Sequence, residues 1–443
     1  MLGAPIPKRA GVLKVASANS PLVPRSHPCY ALQMKRNIAT IAVCAIPLAL
    51  AACLAAEPEP PEPQVAVARE PLPPLPVVRR FTLVAAGDNL FHDVLFRRSP
   101  EGDFSHFPGY YEPVRQIVRA ADVAFVNQET VFAGEAAGFA SWPRFNTPSE
   151  AGLALIETGF NVVNHANNHA MDMGGAGADY TLAFWAQHPR ITMIGLYGSQ
   201  EAREAPAITD VNGVSVGWLT YTYGLNGLPL PWNRPYMVPL IDAEVMEREI
   251  RALRPLVDFL IVSMHWGYEY VFAPNAEQRE LAELMASLGV DLVIGHHPHV
   301  LQPLEALPRP DGGETVVAFS LGNFLSAQHP NYTLLGGLLY VEAKTVDGRA
   351  SIERAGIIPV VTHYELGFVN FRVYPLHEYT EELAARHRNR VRADLGRAII
   401  SPLYFYDMAR RVLGDALIGY DPFARRRGLA KTAGLRALEG FAD

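Results

Sequence analysis

Arg80-Phe81-Thr82-Leu83-Val84-Ala85-Ala86-Gly87-Asp88 is a short apolar, β-branched and aromatic run that stops on Gly-Asp. That length and composition predict a buried strand over 80–86 with polar groups at its C-terminal end. The same device recurs along the chain. Val123–Val126 runs into Asn127-Gln128-Glu129, and Phe160–Val163 into Asn164-His165-Ala166-Asn167-Asn168-His169. Phe259–Met264 runs into His265-Trp266-Gly267, and Leu292–Ile294 into Gly295-His296-His297-Pro298-His299. Helical stretches separate these runs, for instance at Ser149–Thr158, Asp242–Leu253 and Asn275–Leu288. Strands alternating with helices predict an α/β fold whose sheet is substantially parallel. Ligands bind such sheets outside the carboxyl ends of the strands, so the five polar ends are expected to converge on one site.

The residue types at those ends suit divalent metals. Imidazole nitrogen and carboxylate oxygen bind them, and a two-metal centre needs a ligand able to bridge. His297 and His299 flank Pro298, so an extended segment would point both the same way, and His265 arrives from a neighbouring strand end. Asp88 and Glu129 bring negative charge, and Asn168 an amide oxygen. His169 is placed to protonate a leaving group or stabilise an oxyanion. Metal-assisted hydrolysis of a phosphate or carboxyl derivative is the reaction class that follows. Taken singly, several of these residues read otherwise: Asp88 as a turn or cap, His265 as a core histidine, Asn164, Asn167 and Asn168 as loop residues, Asp172 and Glu269 as solvated or capping.

Composition narrows the rest. The 443 residues are 49% hydrophobic and 19% charged, an ordinary globular composition. A net charge of -7 excludes the basic footprint of a nucleic-acid binder. The cysteines are Cys29, Cys44 and Cys53, so neither a disulfide framework nor a Cys-based zinc site belongs to the folded part.

The N-terminal stretch reads as an address. Met34-Lys35-Arg36, the apolar run Ile38–Ala52 and then Cys53 describe a secretory signal peptide, with an uncleaved anchor starting at Met1 as the other reading. Leu50-Ala51-Ala52-Cys53 resembles a bacterial lipobox, whose cysteine becomes lipidated, and Leu54 after it implies sorting to the outer rather than the inner membrane. The expected layout is an upstream segment 1–33, a signal peptide 34–52, a Pro/Ala/Glu-rich linker 53–79, a catalytic-type domain 80–375 and a helical extension 376–443. A lipid anchor on the periplasmic face is the localisation this predicts. Val346-Asp347-Gly348 between two apolar runs predicts a β-hairpin.

Read together, Gly87-Asp88, Asn127–Thr130, Asn164–Gly174, Tyr221–Gly227, His265–Tyr270, Gly295–Gln302 and Phe319–Phe324 resemble the bacterial CapA (poly-gamma-glutamate or capsule synthesis) family. They stand in the family's order over residues 81–325. The resemblance implies a calcineurin-like metallophosphatase fold, a four-layer α/β/β/α sandwich. It implies Asp88, Glu129, Asn168, His265, His297 and His299 as the shell for one or two ions of Mn, Zn or Fe. By the same resemblance His169, with Asn168, is catalytic, and Asn127, Asn164, Glu269, His296 and Asn323 are expected to bind substrate. Two departures stand out: Asp88 is followed by Asn89-Leu90 where metallophosphatases carry Asp-x-His, and the second motif is Asn-x-Glu. The functional expectation is a metal-dependent hydrolase in capsule or poly-gamma-glutamate biosynthesis. The alternative is a non-catalytic, lipid-anchored accessory of a polymer synthase or export complex.

Overall fold

The computed structural model describes residues 75–424, apart from 98, 100–101 and 392–398. The expected upstream segment, the signal peptide, Cys53 and most of the linker lie outside the described residues. Strands run in chain order from β1 (Val78–Asn89), β2 (Val123–Gln128), β3 (Val162–Asn164) and β4 (Thr192–Ile194) to β5 (Ala207–Val211) and β6 (Val214–Thr222). Next come β7 (Phe259–His265), β8 (Leu292–His296), β9 (Leu304–Pro308), β10 (Glu314–Ala318) and β11 (Asn323–Leu325). Last are β12 (Leu335–Val346), β13 (Arg349–Glu365) and β14 (Val369–Pro375).

These strands form two sheets. One has the order β14-β13-β12-β1-β2-β3-β4, with β11 alongside β1; the other runs β5-β6-β7-β8-β10-β9. The first is parallel from β1 to its β4 edge and antiparallel from β1 to β14; the second is parallel through β6, β7, β8 and β10 and antiparallel at both edges. Asp347 and Gly348 turn the β12–β13 hairpin in left-handed conformations.

Strand alternation decides which way each side chain faces. In β7, Phe259 and Ile261 enter the core between the sheets, whereas Leu260, Val262 and Met264 pack outward. β8 and β10 repeat this, with Leu292, Ile294, Val316 and Ala318 inward and Val293 and Val317 outward. The outward set is covered by Met246 and Ile250 of helix Ala243–Leu253 and by Leu281 and Met285 of helix Ala276–Ser287. Both helices start where Asp242 and Asn275 cap them, Asn275 with Gln278 in a reciprocal capping box. The first sheet is covered in turn by Ile117, Val118, Ala151 and Leu155. The layers are therefore helix, sheet, sheet, helix. Rings lock the two sheets: Phe81 meets Phe259 edge-on at 5.2 Å, and Phe125 stacks on Trp218 at 6.0 Å.

The described part of 376–443 is largely helical. Its Phe405, Ala409, Leu413, Ile418 and Phe423 are buried in the same core as the first sheet.

Candidate metal centre

Strand register gathers the polar ends. In the first sheet Asp88 pairs with Asn127, and Asn127 with Asn164; in the second His265 pairs with His296. Two glycines let the backbones close in behind them: a β-carbon on Gly87 would lie 2.0 Å from Gly322 O, and one on Gly295 2.0 Å from Phe319 O.

The sheets meet at Glu129. Its Oε1 lies 3.5 Å from His265 Nε2 and 3.8 Å from His299 Nε2. His299 Nδ1 is 3.2 Å from Asp88 Oδ2, and Asn168 Oδ1 is 2.8 Å from His265 Nε2. Two groups, Glu129-His265-His297 and Asp88-Glu129-His299, each hold donor atoms within 4.8 Å of one another, and Glu129 belongs to both. The structure thus brings together Asp88, Glu129, Asn168, His265, His297 and His299.

His297 and His299 do not lie in an extended segment, as their spacing suggested. Their φ angles are 95° and 57°, left-handed conformations that non-glycine residues adopt at a cost of about 1–3 kcal/mol each. The turn, rather than strand alternation, aims both rings at the site.

The electrostatics call for a cation. Glu129 is wholly buried, and neither carboxylate oxygen receives a hydrogen bond. Burial, with Asp88, Glu269 and Asp172 nearby, pushes its carboxyl well above the usual range. Burial also opposes the charge on Asp88, yet the His296 and His299 rings hold its carboxyl well below that range. Burial, reinforced by His297, drives His265 well below the ordinary imidazole value, and burial beside His299 takes His297 down to about 3. Neutral imidazoles facing buried carboxylate oxygens are the deprotonated donors that a divalent ion requires. The buried Nδ1 of His297 also lacks a hydrogen-bond partner. The donor set would hold a divalent metal, and Glu129 is common to both groups.

His169 stands at the cavity beside this cluster. Its Nδ1 is 2.7 Å from Asp172 Oδ2, which also accepts the Phe145 N–H at 2.7 Å. The ring packs edge-on against Phe145 at 4.7 Å. The cavity, about 440 Å³, is lined by Leu90, Arg144, Asn168, His169, Asn226, Glu269, Tyr270 and His299, among others.

Four of the five residues expected to bind substrate lie beneath the cavity surface. Asn127, Asn164, His296 and Asn323 are fully buried. Asn127 donates to Asp88 Oδ1 at 2.8 Å, and Asn164 donates to Asn127 Oδ1 at 2.9 Å while accepting from Thr220 Oγ1 of the other sheet at 2.7 Å. The His296 ring stacks on Phe125, and Asn323 donates to Gln328 Oε1 and Thr333 O. They build the floor of the site; Glu269 alone of the five is at its wall.

Other residues acquire roles that the motifs did not reveal. Asp172 orients His169, and the His-x-x-Asp spacing was its signal. Among the described residues Arg144 is the one arginine or lysine on the cavity wall, fixed by its Nε–H to Asp172 O at 2.6 Å. Asn226 accepts from Asn168 Nδ2 at 3.2 Å, and Tyr223 tilts over His297 at 4.5 Å.

The family model described as bacterial capsule synthesis protein PGA_cap matches residues 82–328, which include Asp88, Glu129, Asn168, His169, His265, His297 and His299. The chain is a member of the PGA_cap family. It is 36% identical over 184 residues to the PGA biosynthesis protein CapA of Bacillus subtilis, covering 41% of this chain and 47% of the relative. It is 30% identical over 179 residues to the capsule biosynthesis protein CapA of Bacillus anthracis, covering 40% and 42%. This PGA_cap chain therefore spans about half the length of the curated relatives it matches. Among solved structures, a calcineurin-like phosphoesterase of Bacillus subtilis overlays with a TM-score of 0.36 at 13% identity, over 64% of this chain and 91% of that one.

Proposed function

We propose that this PGA_cap protein is a metal-dependent hydrolase of capsule or poly-gamma-glutamate biosynthesis, acting on a phosphoester or a bond of the polymer. The observation that carries the reading is Glu129: a buried carboxylate without a hydrogen-bond donor, shared by two clusters of histidine and acid, beside a His-Asp pair on an open cavity. When bound, a divalent ion supplies Lewis-acid charge at the scissile group and lowers the pKa of water. Mn, Zn or Fe would each suit these donors, and availability decides between them. The protein's own residues do the rest. Asp172 holds the His169 ring by Nδ1, leaving Nε2 to pass a proton to the leaving group. Arg144 offers its remaining N–H groups to an anionic oxygen of the substrate. Phe145, packed against His169, keeps water from the ring's buried side.

The test is turnover of a panel of phosphoesters and capsule polymers by protein reloaded with each metal. His169→Ala is expected to lose about 10²–10⁴-fold in kcat while keeping its metal. Metal-loaded protein that hydrolyses nothing in the panel contradicts the reading.

A second reading, a non-catalytic accessory of a synthase or export complex, draws on one observation. Leu90 lines the cavity at the sequence position of the Asp-x-His histidine, so an apolar side chain stands where that pattern has a ligand. Co-purification of a synthase after cross-linking, together with absent turnover, favours it. For either reading we propose attachment through lipidated Cys53 on the periplasmic face, from the lipobox and spacer. Mass spectrometry showing an unmodified N-terminus upstream of Cys53 contradicts that attachment.

A further inference from the structure

Tyr270 stands between the metal cavity and the rings of a second groove. It walls the metal cavity, and its ring lies 6.1 Å from that of His299. On its other side Tyr332 is 6.2 Å away, and Tyr332 in turn is 5.9 Å from Phe272. Tyr332 and Phe272 line a second groove of about 650 Å³, together with Tyr404 and Met408 of helix Pro402–Leu413. A row of rings therefore runs from a metal-shell histidine into a groove that no step of the proposed hydrolysis uses.

Tyr270 is held at this junction under backbone strain. Its φ is 65°, and its N–H donates to Pro298 O at 2.8 Å, inside the turn that carries His297 and His299. A left-handed conformation at a bulky residue persists where the surroundings impose it, and such positions cluster at ligand sites. The turn that aims the metal-shell rings thus also places the first ring of the row.

The charges along the path balance. Arg279 is paired with Glu305 at 3.2 Å, and Arg411 shares the groove wall with Asp407. A polyanion needs an excess of cations along its track, and the whole chain carries -7. What the groove offers instead is a lining of aromatic rings, Phe272, Tyr332 and Tyr404, and aromatic rings stack against the C–H-rich faces of pyranoses. We propose that the groove is a binding subsite for a linear, uncharged polysaccharide, whose end enters the metal cavity past Tyr270. The last step of that path rests on the hydrolase reading; binding in the groove does not.

Native electrophoresis of the full chain in detergent tests this, in gels containing hydroxyethyl cellulose, β-glucan, galactomannan or poly-gamma-glutamate. At least one of the three neutral glycans is expected to retard the protein more strongly than poly-gamma-glutamate does. Tyr332→Ala is expected to weaken that retardation at least tenfold, and Tyr332→Phe, which keeps the ring, to change it less than twofold. If Tyr332→Ala does not fold by circular dichroism, Tyr404→Ala replaces it with the same expectation. Retardation by none of the neutral glycans, retardation by poly-gamma-glutamate as strong as by any of them, or an unaltered response of the alanine variant overturns the proposal. His297→Ala and chelator should leave retardation intact, so a failed metal reading shows itself as missing metal with glycan binding preserved.

Discussion

The two sheets bring different chemistry to one place. The strands of the eight-stranded sheet lead into oxygen donors, Asp88, Glu129 and Asn168; those of the six-stranded sheet lead into nitrogen donors, His265, His297 and His299. Within either sheet the polar ends are incomplete, the first with unbalanced buried carboxyl groups and the second with crowded neutral imidazoles. Packed together they make a donor set for a divalent ion. This site is therefore a property of the interface between the sheets. Metal affinity and inter-sheet packing should therefore rise and fall together.

The comparison breaks first at the packing. Trp218 of the second sheet stacks on Phe125 of the first, which also stacks on the His296 ring. Trp218→Ala should cost about 3–5 kcal/mol in chemical denaturation, and metal affinity should fall with it although no donor is touched. Unchanged metal affinity in a destabilised variant would separate the site from the interface.

Glu129→Gln sharpens the contrast because its two effects have opposite signs. Without metal the variant should be as stable as wild type or more so, since it removes a buried carboxyl that burial and neighbouring acids disfavour. With metal at a hundred times its Kd, wild type should gain about 2.7 kcal/mol and the variant almost nothing. Thermal unfolding with and without metal reads both.

The smallest effect lies away from the site, in the edge of the first sheet. Burial pushes His363 down to about 4, and burial together with the neighbouring His363 ring takes His387 to about 3. Below the unfolded value of 6.5 the unfolded chain binds protons that these rings refuse, so stability is full above that pH and falls as the pH drops toward 3–4. The slope contributed is at most about 1.4 kcal/mol per pH unit for each histidine. His363→Gln should flatten the acid limb of a urea-midpoint profile, and an unaltered limb would count against a neutral His363.

Much of this was legible in sequence because periodicity and polarity carry it. Apolar runs that end in Asp, Glu, Asn or His announced β1, β2, β3, β7 and β8, and Asp242 and Asn275 marked helix starts. What was not legible depends on tertiary packing. Runs alone do not say which strands share a sheet, and the five strand ends read equally as one. Burial separated residues of one type: Asn168 reaches the cavity, whereas Asn127 and Asn164 lie under it. His296 and His297 are neighbours in sequence, yet one ring stacks on Phe125 and the other meets Tyr223. Asp172 reads from sequence equally as a solvated or capping residue, whereas in the fold its carboxylate lies on His169 Nδ1.

The most direct measurement is metal content by elemental analysis of wild type, Asp88→Ala from the first sheet and His297→Ala from the second. Wild type reloaded with Mn²⁺, Zn²⁺ or Fe²⁺ should hold near-stoichiometric metal, and loss of a donor from either sheet should release most of it. Wild type without metal after all three reloadings, or metal retained in both variants, would contradict a centre shared between the sheets.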